Sequence, residues 1–287
     1  MTAGVKVQSG GYTTSLAGER EAIQTIVEFV DPTDYETART RMVDDSRHKT
    51  SENLIYLLGR GSAETDDKVA ELYRSQRIVE LHRNDPDQEI KEYCASQTDI
   101  AARRLGELKT LLQRSLAQGS FLFRGETTAV DSLATDLLAA AKKHLGAAAE
   151  QVFHRYAEAP ERVDTAVAEK FLRTGAGNLK AITTQLDPLG LVQVTSGNPT
   201  IRSDHKALVS IRDYIDRNGT LDGKRLLEHF SSAPFGWSQD TLRYLVAALL
   251  VGGDIKLKVS GREVTVAGQQ AIDARVVGGV GRCFSER

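Results

Sequence analysis

The sequence predicts a mainly α-helical protein with small β elements, arranged as a helical arm and bundle followed by a compact helical unit closed by a β-hairpin. Three observations carry this. Apolar residues recur at three-and-four spacing through two long polar stretches, 64–83 and 87–118; an alanine- and leucine-rich helical pattern fills 132–156; and the alternating texts IKLKV and REVTV follow three short helices late in the chain. At 287 residues, with 40% apolar and 26% charged residues, the chain has an ordinary globular composition and the length for more than one core.

Residues 1–15 carry no hydrophobic segment of a secretory signal and read as a flexible tail. Leu16, Ile23, Ile26, Val27 and Val30 keep a helical spacing that stops at Asp31-Pro32, and NLIYLLGRG at 53–61 is a compact apolar run closed by glycines, so 16–61 reads as a short helix and strand segment. Residues 62–118 read as a helical hairpin or coiled-coil arm, broken at Asp85-Pro86 because proline suits a helix start and not its interior. Its second helix carries Ile90, Cys94, Ala101, Leu105, Leu108, Leu111, Leu112 and Leu116. Gly119 ends it, SFLFRGE forms a short strand and turn, and 119–199 is expected to be a helical domain bounded by the turn residues SGNP at 196–199.

The region 200–270 has a more specific layout. An amphipathic helix at 204–217 stops at Asn218-Gly219, a short helix follows at 221–230, and Ser238 caps a helix at 239–251 that ends on Gly252-Gly253. The hairpin IKLKV-SG-REVTV closes the unit. Helix, helix, turn, helix and hairpin is the order of a winged helix, a helix-turn-helix relative with a β wing. Residues 271–287 are left as a C-terminal tail.

Several function classes fail on the residues. The net charge of −2 gives no global attraction to polyanions, although 200–287 holds 13 Lys/Arg against 10 Asp/Glu, so any polyanion contact belongs there. No apolar run approaches the roughly 20 residues of a membrane span. Cys94 and Cys283 suit free thiols in a reducing cytoplasm and make no metal pair, and the six histidines are scattered. The string GTLDGKR at 219–225 echoes a phosphate-binding loop but has Arg225 where a magnesium-binding Ser or Thr is required. With no catalytic constellation, no metal set and no cofactor motif, the chain reads as an assembly or recognition module. Asp44 and Asp45 beside His48 have no spacing that supports a nuclease.

Two groups of residues in the winged-helix text remain as candidates. Lys256 and Lys258 share one face of a strand by the two-residue period, and with Arg262 on the same hairpin and Arg243 on the preceding helix they are the nucleic-acid-binding candidates. The helix in the recognition position offers few polar side chains for base edges, so backbone contact is the form expected. Phe235-Gly236-Trp237 forms an aromatic turn whose expected role is structural, with Trp237, the one tryptophan, anchoring it in the core.

The string RLLEHFSSAPFGWSQDTLRYLVAALLVGGDIKL at 225–257, with FLFRGE at 121–126 and NLIYLLGRG at 53–61, resembles a region of the large P-loop ATPases of bacteriophage exclusion (BREX) systems, the BrxC/PglY family. The resemblance runs in the same order from about residue 50 to 267. It implies a part in phage defence, in a cytoplasmic complex with the system's methyltransferase, its alkaline-phosphatase-like subunit and double-stranded DNA. A homo-oligomer through the helical arms is a further expectation of the sequence. Members are several times longer and carry a nucleotide-binding loop absent here, so ATP and Mg are expected only in a longer parent. The chain then stands for a portion outside the nucleotide-binding core or for a short stand-alone relative, with a stand-alone DNA-binding regulator as the rival reading.

Overall fold

The computed structural model describes residues 3–9, 12–259, 262–264 and 282–285. They form two compact units that divide between Val152 and Phe153.

The N-terminal unit is built on a mixed sheet of order β2-β1-β3-β4-β5-β6. β1 (Gly4–Ser9) and β2 (Tyr12–Ala17) pair antiparallel. β3 (Gln24–Val30) lies parallel between β1 and β4 (Leu54–Arg60), and α1 (Tyr35–Ser46) is the crossover between them. β5 (Ser120–Phe123) and β6 (Glu126–Ala129) extend the sheet antiparallel. α1 packs Tyr35, Ala38 and Met42 onto Tyr56, Leu58 and Leu122. Side chains alternate along strands, so Val27, Ile55, Leu57 and Phe121 serve the opposite face.

Two expectations are corrected here. Of the expected tail 1–15, Gly4–Ser9 forms β1 and 12–15 starts β2. The helix expected from Leu16 is instead β2 and β3. A short apolar run such as Ile26, Val27, Phe29 and Val30 satisfies helical and strand spacing alike. Its backbone groups meet ladder partners in β1 and β4 on both sides, and that pairing, which spacing does not reveal, makes it a strand.

Between β4 and β5 stands the arm: α2 (Ala63–His82) and α3 (Gln88–Ala117), antiparallel and separated around Asp85-Pro86. Ser62 Oγ accepts the Thr65 amide at 3.2 Å, and Asp87 Oδ1 accepts that of Glu89 at 2.8 Å, capping both helix starts. Cys94 and Leu108 are buried in the arm, and Lys68–Glu107 (3.1 Å) and Arg104–Glu71 (2.5 Å) link the two helices. Hydrogen bonds from Arg104 and then Lys68 hold the Glu107 carboxyl below its usual range. Gly119 returns the chain to the sheet, where any Cβ would collide with the Leu58 carbonyl oxygen. After β6 come α4 (Val130–Leu133) and α5 (Leu137–Val152), which close the unit. The expected helical domain 119–199 is therefore divided, its first part completing this sheet.

The C-terminal unit begins with α6 (Thr165–Gly177), then the hairpin of β7 (Val192–Thr195) and β8 (Asn198–Ile201). SGNP at 196–199 is the reversal of that hairpin and the start of β8, not a domain boundary. Ser196 and Gly197 both take positive φ, as a two-residue hairpin turn requires, and turn chemistry alone does not separate a hairpin from a linker. Next come α7 (Lys206–Asn218), β9 (Leu221–Asp222), α8 (Gly223–Ser231) and α9 (Gln239–Gly252). β10 (Ile255–Val259), β11 (Arg262–Val264) and β12 (Arg282–Ser285) complete a sheet of order β11-β10-β12-β9. The expected C-terminal tail 271–287 thus contributes a strand between β9 and β10.

Helix dominates, as the sequence predicts, but the six-strand sheet of the N-terminal unit makes the β share larger than small elements would give. Among the described residues no helix is long and apolar enough to cross a membrane.

Candidate docking and nucleic-acid interface

The winged-helix elements α7, β9, α8, α9 and β10 share one core with α6, and the arrangement decides what each candidate residue can reach. α9 occupies the recognition position. From Thr241 to Leu250 every residue except Arg243 is buried. One side of it belongs to the winged-helix core through Leu242, Leu245 and Leu249; α6 holds it as well, with Phe171 set edge-on to Tyr244 at 5.0 Å between ring centroids. Polar contacts lock the start of α9. Ser238 Oγ accepts the Thr241 amide at 3.0 Å, the Thr241 hydroxyl donates to the Glu161 carbonyl at 2.9 Å, and Thr165 donates to Asp240 Oδ1 at 2.6 Å. A helix buried in this way cannot lie in a major groove, which must receive the helix's own side chains.

The four cationic candidates are in different situations. Arg243 donates to Asp240 Oδ1 at 2.7 Å and is three-quarters covered. Asp240 is held below the usual carboxylate range by Thr165 first and Arg243 after it. On β10, Ile255 and Leu257 point into the core, which turns Lys256 and Lys258 to the other face as the strand period predicts. Lys256 is half-buried and engaged, whereas Lys258 is exposed and stands opposite Glu263 across the β10–β11 pair. Arg262 lies at the head of β11, opposite Val259; its side chain is outside the described residues. The described part of the wing therefore presents Lys258, with an acidic neighbour, as its outward cation.

The aromatic turn is the best-organised feature of the unit. Trp237 is 1% exposed and stacks on Phe230 at 5.1 Å and 8°, and Phe235 meets both rings at 4.5 and 4.8 Å. The backbone holds it too, with the Trp237 amide donating to the Phe230 carbonyl at 2.9 Å. Gly236 has φ +65° with the Phe153 ring 2.7 Å from where a Cβ would stand, so conformation and space both require glycine. At the edge of this cluster, His229 meets Phe230 at 4.9 Å and stacks on Tyr214 at 3.9 Å, and burial followed by the charge of Arg155 pushes its pKa down. Arg155 lies 4.5 Å over the Phe235 ring and is held by Glu158 at 2.7 Å. Between α7 and this turn is a groove of about 430 Å³ whose lining includes Arg155, Asp213, Tyr214, Arg217, His229 and Phe235.

Two residues that hold the unit together escaped the sequence. Arg155 precedes the expected winged helix by some fifty positions, and Asp187 is visible only as half of an Asp-Pro helix breaker. In the structure Asp187 is a hub: Oδ1 accepts from the Tyr244 hydroxyl and the Leu191 amide, both at 2.6 Å, and Oδ2 from the Val192 amide at 2.9 Å. Burial, and then that hydrogen bond, pushes the Tyr244 phenol far above its usual value.

A family model for the BREX ATP-binding protein BrxC winged helix-turn-helix domain matches residues 180–276. No curated protein and no solved structure matches the chain. The match takes in β7 through β11, so the buried α9, the aromatic turn and the hairpin strands described above all fall inside it. Residues 180–276 are thus similar to the winged helix-turn-helix domain of the BREX protein BrxC, a region outside the ATPase core.

Proposed function

We propose that this chain is a non-catalytic assembly and recognition segment of a BREX-type ATPase, whose winged helix docks protein partners and touches DNA, if at all, only along its backbone. The observation that carries the reading is the burial of α9 from Thr241 to Leu250, which removes the usual base-reading surface and leaves the outer side of α7, the groove beside it and the wing as the outward faces. The partners are the methyltransferase and the alkaline-phosphatase-like subunit of the same system. Co-expressed with these two and passed over a size-exclusion column, the chain should co-elute with at least one of them; separate elution of all three ends the reading.

The rival, a stand-alone winged-helix regulator that binds double-stranded DNA, draws support from the exposed Lys258. Fluorescence anisotropy on duplex DNA separates the two. The docking reading expects binding no tighter than about 10⁻⁴–10⁻⁶ M at physiological salt, the non-specific range, indifferent to sequence. A regulator would bind a preferred sequence far more tightly, weaken steeply with salt, and lose affinity when Lys256, Lys258 and Arg262 are changed to Ala.

The arm supplies self-association. α2 exposes Val69, Tyr73 and Leu81 at 50%, 65% and 61%, and α3 exposes Tyr93 and Leu105, more large apolar surface than a two-helix arm in water needs. Light scattering should give a mass above the 31.4 kDa of one chain, reduced to the monomer by Tyr73→Glu with Leu81→Glu. A monomer at all concentrations in the unaltered chain would remove the arm from the assembly role.

A further inference from the structure

The sheet face of the N-terminal unit opposite α1 is not filled. Val27, Ile55, Leu57 and Phe121 form the floor of a cavity of about 660 Å³, walled by the end of α3 and the start of α5. That volume lies within the roughly 300–1,000 Å³ of small-molecule sites. Leu138, 62% exposed, lines it as well.

Two cations among the lining residues are unspent. Arg114 of α3 and Lys142 of α5 both line the cavity, and neither side chain forms an ion pair or hydrogen bond among the described residues. His144 backs the floor, lying flat on Phe121 at 4.5 Å and 8° with its Nε2 closed off. The carboxylate of the site, Asp136, accepts the Ala139 amide at 2.8 Å as the cap of α5 and pairs with neither cation among the described residues.

We infer that this cavity binds a small amphipathic anion, its aliphatic body on the Val27–Ile55–Leu57 floor and its carboxylate or phosphate head between Arg114 and Lys142. Apolar burial supplies affinity and the paired cations supply selectivity for the charged head. The inference concerns a different unit from the docking surface and stands apart from it.

The test uses the whole chain with 8-anilinonaphthalene-1-sulfonate, itself an apolar anion, as reporter. Its fluorescence should rise with one-to-one saturation and be reversed by decanoate or decyl phosphate at concentrations at least tenfold below those of decanol. Whichever of the two displaces at lower concentration identifies the head group. Ala141→Phe, which fills the cavity, should abolish the signal. Arg114→Gln with Lys142→Gln alters exposed residues and leaves packing intact; it should weaken the anions about tenfold and leave decanol unchanged. Displacement by decanol as effective as by the anions overturns the inference. So does reporter binding in which neither the Ala141→Phe protein, at native melting temperature, nor the double Gln variant differs from the unaltered chain.

Discussion

Trp237→Ala lowers the melting temperature of the C-terminal unit by about 10–20 °C, the effect expected for a loss of roughly 3–5 kcal/mol from a buried aromatic side chain. Trp237 is 1% exposed, and its ring lies against Phe230 and Phe235, so removing it leaves a void that the stacked rings cannot fill by rotating without losing each other. The indole N–H has no acceptor among the described residues, so Trp237→Phe gives up volume but no hydrogen bond and should cost less than half as much. Differential scanning calorimetry on the three proteins checks this. A Trp237→Ala transition within about 2 °C of the unaltered one would place the tryptophan outside the cooperative core.

Asp187→Ala should cost about 2–4 kcal/mol. The carboxylate accepts the Tyr244 hydroxyl of the buried helix α9 together with the Leu191 and Val192 amides that lead into β7, so a single side chain ties the two segments. Its loss strands a buried phenol. Tyr244→Phe removes that donor without creating a void and should cost about 1–2 kcal/mol. The two changes should be non-additive: once Phe stands at 244, losing Asp187 no longer strands the hydroxyl, and the double variant should be less destabilised than the sum by about 1 kcal/mol. Chemical denaturation of the four proteins measures that coupling, and strict additivity would mean that the hydrogen bond contributes nothing to the fold.

The parts of the structure that were legible in the sequence are those specified by local chemistry. Proline at 86, the Ser238 cap and the Gly252-Gly253 stop each mark a boundary because a single residue's backbone geometry fixes it, and the α2–α3 arm and α7–α9 follow directly. The three-and-four spacing at 16–30 misled because a short strand can carry the same run of apolar residues, and what decides between them is pairing with β1 and β4. SGNP misled for a related reason: a turn signal states that the chain reverses, and not how far the two sides then travel. β12 had no local signal, since RCFS becomes a strand only by entering the gap between β9 and β10. At the candidate interface, the poverty of α9 in polar groups was readable, whereas the helix that covers it was not. Phe171 and Tyr244 are 73 positions apart, and nothing in either neighbourhood names the other.

The arm leaves the sheet from β4 and returns into β5, and these two strands are hydrogen-bonded neighbours running antiparallel. In topological terms α2 and α3 are an oversized hairpin loop, reaching about 45 Å if the 30-residue α3 is straight. A loop whose two roots touch imposes no spacing on the strands that carry it. Its reach can therefore lengthen or shorten by whole turns during evolution while every pair in the sheet keeps its register, which lets one unchanged platform fit gaps of different width between its neighbours.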